Sequence, residues 1–283
     1  MKTITAMVLG LLLSLSANAT TFTFTAIPDQ DETLLRERFG KIATYLSKQL
    51  GVEVAYVPVK SYAAAITAFR NNQVQLAWFG GLSGVQARLR VPGSEAIAQG
   101  YEDQFFKSYF IAHRSTGLSA GDSLDSALKG HSFTFGSKGS TSGRLMPEFY
   151  LREQFNQAPE AIFSRVGFSG DHSRTIALVQ SGAYEIGAVN YAVWERELAD
   201  GKIDTANVQV IWETPTYPDY QWSIRGDVDG AWGDGFKARV KQALLAMKDP
   251  ELLKSFPRQS FVDASNDDFN PVEVVARSIG LLD

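Results

Sequence analysis

The chain has 283 residues, no cysteine and a formal net charge of −4 at pH 7. It can therefore form no disulfide, and its acidic balance argues against a basic surface for nucleic acid. A chain of this length can bury one large core or two smaller ones. Because the field of the whole molecule does not attract anions, any bound anion must be held by local donors and helix dipoles.

The amino-terminal segment predicts export. A lysine at position 2 precedes an apolar run over residues 4–15, and residues 17–19 read Ala-Asn-Ala, the A-x-A pattern of a cleavage site. The run is too short to span a bilayer, so we expect a secretory signal peptide over residues 1–19 that is cleaved after Ala19. With no cysteine to carry a lipid, the expected location is the periplasm, as a free protein.

The first part of the mature chain predicts alternating strands and helices. Residues 21–27 alternate as a strand, a helix with apolar side chains at helical spacing ends at Gly51, and residues 52–57 predict a second strand. This βαβ order, with its right-handed crossover, predicts a parallel sheet. The pattern then repeats with a helix and a third strand over residues 61–78.

Two loops of this sheet are candidates for a binding site, because ligands of open α/β sheets bind beyond the carboxyl ends of the strands. Ser61 and Tyr62 follow the second strand, and Gly80 and Gly81 follow the third at the start of another helix. Both helix starts would face the same edge, where free N–H groups can bind an anion. We expect Tyr62 to contact a ligand, whereas Trp78 in the third strand is expected to be a core or rim residue.

A second series of strands and helices follows an apolar stretch at residues 108–113. Its pattern predicts strands at residues 131–135, 162–168, 185–189 and 208–212, and an extended segment at residues 220–225. It also predicts a short helix near residues 124–128, a helix that ends at Phe155 and a helix that starts at His172. Two further helices are predicted near residues 231–247 and 271–281. The two series are of similar size, which predicts two αβ units.

Residues 136–143, which read GSKGSTSG, lie between the strand at residues 131–135 and a helix. Ser140, Thr141 and Ser142 can cap the N–H groups of that helix start, and with the helix dipole they would form an anion site. A Walker A loop needs Gly-Lys before its hydroxyl residue, but here lysine precedes glycine. A nucleophile elbow needs serine midway between its glycines, where this chain has Thr141. An ordinary capped helix after a glycine-rich loop is the alternative interpretation.

Four segments carry a resemblance to a known family: residues 60–80, 139–143, 170–172 and 217–219. They resemble the periplasmic substrate-binding proteins of phosphate, phosphite and phosphonate ABC importers over nearly the whole mature chain, with a closer likeness to a subgroup labelled as selenate-binding. The resemblance implies an α/β protein of the type II periplasmic-binding-protein fold, with two αβ lobes joined by two hinge strands and closing on the ligand.

The same resemblance gives the expected lobe boundaries. Lobe 1 would comprise residues 20–112 and 222–283, and lobe 2 would comprise residues 113–221. The crossing strands would lie near residues 111–114 and 221–225.

The resemblance also assigns roles to individual residues. The hydroxyls of residues 140–142 would clamp an oxyanion, Tyr62 would donate from the other lobe, and His172 and Asp219 would complete the polar contacts. Where the family often has a tyrosine pair before the crossing strand, the chain reads Phe-Phe-Lys, so that Lys107 could replace a neutral donor with a cation. The expected ligand-binding residues are Tyr62, Lys107, Ser140, Thr141, Ser142, His172, Asn190 and Asp219.

The position of Ala192 bears on the ligand. Family members that hold aminoethyl-type phosphonates need a carboxylate for the amine, and the corresponding position after Asn190 and Tyr191 is an alanine. This argues against amine-bearing ligands, although Glu195 lies nearby in the sequence. A buried Asp219 would favour a phosphorus oxyanion that carries a proton, whereas a protonated His172 or a nearby Lys107 would favour selenate or sulfate.

The leading hypothesis is the substrate-binding component of an ABC importer, which binds a small tetrahedral oxyanion (phosphonate, phosphite or phosphate-like) without chemistry. Its expected partners are an inner-membrane permease and its ATPase, with no nucleic acid, no cofactor and no metal, and the expected state is a monomer. One alternative is the same role for selenate or another selenium or sulfur oxyanion. Another is a periplasmic serine hydrolase that uses Ser140, His172 and Asp219. A ligand-sensing partner of a membrane receptor would share the fold and the site.

Overall fold

A computed structural model describes residues 20–256 and 258–282, so the expected signal peptide lies outside the described residues. The strands are β1 (Phe22–Ala26), β2 (Val54–Tyr56), β3 (Leu76–Phe79), β4 (Glu95–Gly100), β5 (Ser108–His113), β6 (Ser132–Phe135), β7 (Arg165–Phe168), β8 (Ile186–Asn190), β9 (Val208–Glu213), β10 (Gln221–Ile224) and β11 (Phe261–Asp263). The helices are α1 (Glu32–Leu50), α2 (Tyr62–Arg70), α3 (Gly81–Arg90), α4 (Met146–Phe155), α5 (Pro159–Ile162), α6 (His172–Gln180), α7 (Tyr191–Ala199), α8 (Val228–Trp232), α9 (Phe236–Leu245), α10 (Pro250–Ser255) and α11 (Asn270–Ser278).

The strands form two sheets. The six-stranded sheet has the order β11-β4-β10-β3-β1-β2, in which β1 is parallel to β2 and β3 while β10 runs antiparallel to both of its neighbours. The five-stranded sheet has the order β7-β6-β8-β5-β9, with β6 parallel to β7 and β8 and with β5 antiparallel to β8 and β9. The predicted parallel βαβ start and the α/β class are thus confirmed. We call the layers around the six-stranded sheet lobe 1 and those around the five-stranded sheet lobe 2.

The crossings between the sheets lie earlier in the chain than the sequence predicted. The segments expected to cross, near residues 111–114 and 221–225, belong instead to β5 in lobe 2 and to β10 in lobe 1. The chain crosses around Phe106 and Tyr217, whose backbones exchange two hydrogen bonds of 2.9 Å. The sequence showed only that β5 and β10 are extended and apolar. Their hydrogen bonds to β8 and to β3 place β5 within the lobe 2 sheet and β10 within the lobe 1 sheet. We therefore propose lobe boundaries at this residue pair.

Local sequence signals explain most element ends. The Asp31 carboxylate accepts hydrogen bonds from Thr33 N and Leu34 N at the start of α1, and Gly51 ends that helix with φ 70°, a left-handed conformation that glycine adopts without strain. The helix predicted near residues 231–247 is two helices, α8 and α9, because Gly233 and Gly235 between them also have positive φ.

Both lobes bury aromatic cores. In lobe 1, Trp222 of β10 lies against Phe24 and Trp78, with ring centroids 5.7 and 5.3 Å away. In lobe 2, alternate residues of β5 enter different clusters, with Phe110 on one face of the sheet and Tyr109 on the other. A strand buried on both faces needs helices on both sides, as in doubly wound sheets. Within residues 20–256 and 258–282, the helices lack the combined length and apolar character needed to cross a bilayer.

A buried ion pair fastens the first crossing segment to lobe 1. Arg258 donates to both carboxylate oxygens of Asp103 at 2.8 and 2.6 Å, and both side chains are buried. The Asp103 carbonyl oxygen accepts a hydrogen bond of 2.9 Å from the Asp219 N–H. The pair therefore holds the two crossing segments together next to Asp219.

We expect Arg258→Met to lower the free energy of unfolding by about 3–5 kcal/mol, because it leaves the Asp103 carboxylate buried without its cation. Urea denaturation monitored by tryptophan fluorescence measures the change. The double variant with Asp103→Leu should recover part of the loss, since no charge is then stranded. Unchanged stability of Arg258→Met would contradict this account, and Arg90→Met, at an exposed position on α3, is the matched control.

Candidate functional site

The starts of four helices meet between the two lobes. Helices α2 and α3 begin in lobe 1, and α6 and the turn before α4 begin in lobe 2. The Thr141 hydroxyl oxygen accepts a hydrogen bond of 3.0 Å from Leu82 N, and the Asp29 carbonyl oxygen accepts one of 3.0 Å from His172 N. The lobes are therefore in contact, and these helix starts lie at the junction between them.

Residues 140–142, which we call the hydroxyl turn, are all buried at this contact. The Ser140 hydroxyl accepts a hydrogen bond of 2.9 Å from Gly143 N, as a helix cap does. Leu145 N bonds to the Ser140 carbonyl at 3.0 Å, five residues back, so the first turn is wider than that of an α-helix. The Ser142 carbonyl is held by the Ser108 hydroxyl at 2.7 Å, which fixes the turn to β5.

Asp219 lies on the lobe 1 side of the hydroxyl turn. Its Oδ1 accepts a hydrogen bond of 2.8 Å from Gly81 N, whereas its buried Oδ2 has no partner within the described residues. Burial raises the pKa of Asp219 to about 7, although the Gly81 N–H and the nearby Thr141 and Ser142 hydroxyls oppose the shift. Asp219 therefore presents an unused oxygen that gains or loses its proton near neutral pH.

His172 lies on the other side of the hydroxyl turn. Its Nδ1 accepts a hydrogen bond of 3.2 Å from Asn190 N, which places the ring proton on Nε2. That Nε2 is buried and has no partner within the described residues. Burial lowers the pKa of His172 to about 4, with Asp29 opposing the shift. The imidazole is therefore a neutral N–H donor, and the cationic His172 considered from the sequence does not fit this environment.

Glycine at two positions allows the turn to approach these side chains. A Cβ at Gly143 would lie 3.0 Å from both His172 Cε1 and Ser140 Oγ. A Cβ at Gly139 would lie 3.1 Å from Tyr62 Cβ, so that Tyr62 packs directly on the turn. Tyr62 is buried beside the Ser140 hydroxyl, and burial raises the pKa of its phenol well above the ordinary value. The phenol therefore stays neutral and can donate.

The Asn190 side chain forms hydrogen bonds to the start of α7 and to Tyr220. Its Oδ1 accepts a hydrogen bond of 2.6 Å from Val193 N at the start of α7, and its Nδ2 donates to the Tyr220 hydroxyl at 2.9 Å. The Tyr220 hydroxyl donates in turn to Asp29 Oδ2 at 2.9 Å. Sequence reasoning missed Asp29 and Tyr220, although Asp29 follows the carboxyl end of a predicted strand, which is the available signal.

Lys107 does not join this cluster. Its Nζ lies 2.6 Å from Glu213 Oε2 and 5.4 Å from the centre of the Tyr109 ring. Neighbouring Phe106 is fully buried, so alternation along the crossing segment directs Lys107 to the outer side. The structure thus brings seven of the eight predicted residues to one region and places Lys107 in a partly exposed ion pair.

The geometry does not form the catalytic triad considered from the sequence. A base must accept the serine proton at Nε2, but here Nδ1 accepts an N–H and Nε2 carries the proton. The Ser140 hydroxyl already serves as a cap. Within the described residues, no group of three or more His, Cys, Asp or Glu side chains could hold a metal ion.

Two lobes closing on neutral donors and one carboxyl group define a binding protein for a small polar ligand. Residues 24–269 match the family described as ABC transporter, phosphonate, periplasmic substrate-binding protein, and the chain belongs to that family. Proteins of this class act in the periplasm and deliver a small ligand to a membrane permease and its ATPase.

Individual relatives are also binding or import proteins for phosphorus oxyanions, as their names state. The chain is 41% identical over 261 residues to a probable ABC transporter phosphite binding protein, PhnD1, of Prochlorococcus marinus (strain MIT 9301), covering 90% of this chain and 88% of that protein. The crystal structure of PhnD1 with methylphosphonate superposes with a TM-score of 0.89 at 40% identity, covering 94% of this chain and all of that one. A phosphate-import protein, PhnD, of Mycolicibacterium smegmatis is 25% identical over 257 residues, covering 86% of this chain and 76% of that protein.

The neutral state of His172 predicts a pH dependence of stability. As pH falls from about 6.5 to about 4, unfolded chains bind a proton at this position that folded chains exclude, so stability present above pH 6.5 is lost. In His172→Gln this contribution should disappear. Urea denaturation at a series of pH values should show the wild type losing about 1 kcal/mol more per pH unit than the variant over that range. Parallel curves for the two proteins would show that His172 titrates normally.

Proposed function

We propose that the chain binds a singly protonated phosphonate or phosphite in the cleft between its lobes. The proposed contacts come from Tyr62, the hydroxyl turn, His172 and Asp219, while Asn190 positions Tyr220 and the imidazole. The names of the relatives support this ligand class, since PhnD1 is described as phosphite-binding and was solved with methylphosphonate. The ligand would pass unchanged to an inner-membrane permease, and we propose that the protein works as a monomer.

One observation carries the proposal: a buried N–H donor at His172 Nε2 and a buried acceptor at Asp219 Oδ2, on either side of the hydroxyl turn, both lack partners among the described residues. A buried polar group without a partner costs about 1–3 kcal/mol. An oxyanion that carries one proton satisfies both groups, because its bare oxygen accepts from the imidazole and its hydroxyl donates to the carboxylate. The anionic charge is then held by neutral donors and helix starts.

The same surroundings limit the size and charge of the substituent on phosphorus. A Cβ at Gly80 would lie 3.1 Å from Asp219 Oδ1 and 3.3 Å from Thr141 Oγ1, so little space separates the lobes there. At the position where an amine-bearing ligand needs a carboxylate, the chain has the uncharged Ala192. An ammonium group would therefore lack a counter-charge there, which supports a small neutral substituent such as hydrogen or methyl.

We also propose that no chemistry occurs in the cleft. A hydrolase would need an imidazole free to accept a proton from serine, and the hydrogen bond from Asn190 N to Nδ1 places the proton where that acceptor should be. Retention of intact methylphosphonate after prolonged incubation, followed by ³¹P NMR, is the corresponding measurement.

Calorimetric titration against phosphite, methylphosphonate, phosphate, aminoethylphosphonate, sulfate and selenate tests the ligand class directly. We expect phosphite and methylphosphonate to bind most tightly, and aminoethylphosphonate to bind weakly because Ala192 supplies no carboxylate for its ammonium group. A saturating ligand should also raise the melting temperature, since it binds the folded state only. If none of the phosphorus oxyanions binds, the proposed ligand class is wrong.

Thr141→Val should weaken phosphite binding by about 10- to 100-fold, because closure would then bury the Leu82 N–H without its acceptor, at about 1–3 kcal/mol. Thr141→Ser keeps the hydroxyl and is the matched control, with an affinity near that of the wild type. Equal binding by the valine variant and the serine control would place the Thr141 hydroxyl outside the closed cleft.

Asp219→Asn should reverse the preference among oxyanions. Asparagine keeps the acceptor for Gly81 N but can present an N–H where Oδ2 stood, which suits an oxyanion without a proton. We expect weaker phosphite binding and tighter sulfate and selenate binding than in the wild type. In the wild type, sulfate affinity should fall about tenfold per pH unit above pH 7, because binding then requires proton uptake by Asp219.

A pH-independent affinity for sulfate in the wild type would contradict the role of the carboxyl proton. Tighter binding of selenate than of phosphite by the wild type would favour the alternative ligand class considered from the sequence.

A further inference from the structure

A small polar cavity lies beside the proposed oxyanion site, and Asn190, Tyr220 and Asp29, which are joined by hydrogen bonds, line one part of it. It has a volume of about 20 Å³, which is room for one water molecule or one small ion. Its walls come from both lobes, because Arg38 belongs to α1 and Arg196 to α7.

Three buried donors around this cavity have no partner within the described residues: Gln30 Nε2, Arg38 Nε and one terminal nitrogen of Arg196. Gln30 and Arg38 are only 4% and 7% exposed. The Gln30 orientation is fixed, because its Oε1 accepts a hydrogen bond of 2.9 Å from Arg38. Three donors thus converge on a space that holds a single guest.

The charges around the cavity do not balance. Arg38, Arg196 and Arg258 line it or adjoin it, but the Asp103 carboxylate is paired with Arg258. Among the other described residues that line the cavity, Arg38 and Arg196 are cationic, and Asp29, whose Oδ2 accepts from Tyr220, is the one carboxylate. The lining therefore carries one positive charge in excess.

We propose that this cavity binds one small monovalent anion of halide size, such as chloride, between Arg38 and Arg196. An anion accepts from all three donors and neutralises the excess charge, whereas a water molecule would leave that charge uncompensated. Since the two arginines come from different lobes, closure brings like charges together. The anion removes that repulsion and stabilises the closed form, so it raises the affinity for the oxyanion in the neighbouring cleft.

Crystals of the closed protein with methylphosphonate, grown without chloride and soaked in sodium bromide, test the site itself. We expect an anomalous bromide peak within hydrogen-bonding distance of Arg38 Nε and Arg196. Ordinary density without an anomalous signal would mean a bound water, and the proposal would be wrong. The peak is sought in wild-type protein, so the test does not depend on the folding of any variant.

Phosphite titrations at constant ionic strength, in sodium chloride and in sodium gluconate, test the coupling. Gluconate is too large for the cavity, so we expect wild-type affinity to be about five- to tenfold higher in chloride. Arg196→Met should abolish that difference, while Arg90→Met, an exposed arginine on α3, should keep it. The same ratio in Arg196→Met as in the wild type would overturn the proposal.

Discussion

The hydrogen bond from the Leu82 N–H to the Thr141 hydroxyl joins the first turn of α3 in lobe 1 to the hydroxyl turn in lobe 2. Beside it, Gly81 N holds the Asp219 carboxyl group at the same junction. The polar groups of the cleft are therefore assembled from both lobes. Their burial keeps water away and strengthens each electrostatic contact, so a polar group left without a partner there is costly.

The site groups illustrate how burial sets chemical character. His172 and Asp219 are both fully enclosed, yet burial lowers the pKa of the base and raises that of the acid. Each shift favours the neutral form, so His172 is an uncharged donor and Asp219 carries its charge only from about neutral pH upward. An acidic protein can hold an anion this way, because the donors act only at contact distance. The adjoining cavity differs, because its donors Arg38 and Arg196 are permanently charged.

Much of this was predictable from local sequence. The strand before the hydroxyl turn, the turn itself and the helix starts at Tyr62 and His172 have strong signals, since hydrophobic alternation and capping residues act over a few positions. Helix α7 was missed because it begins directly after β8. Strand β11 has only three residues, too few to show a period, and β4 has one strong strand former, Ile97, and no alternation. The crossing points depend on which sheet a strand joins, and that is a long-range choice.

Side-chain partners were less predictable than elements. Lys107 was predicted to contact the ligand from its position in the family pattern. It forms an ion pair with Glu213 instead, a residue that is distant in sequence. Arg258 and Asp103 are also distant in sequence. Arg38 and Arg196 lie in different lobes, so their proximity depends on how the two lobes pack. Sequence spacing within an element fixes a face, but it does not fix what that face meets.

The exchanged hydrogen bonds between Phe106 and Tyr217 make the two crossing chains a single short ribbon. Because a two-stranded ribbon bends across its plane more easily than its strands slide along each other, we expect the lobes to open by a pivot about one axis. The Phe106 ring rests 5.3 Å from that of Tyr220 and 4.8 Å from that of Tyr191, so aromatic contacts brace the pivot. We expect these aromatic contacts to affect the dissociation rate of a bound ion through the rate at which the lobes open, separately from the contacts that set its affinity.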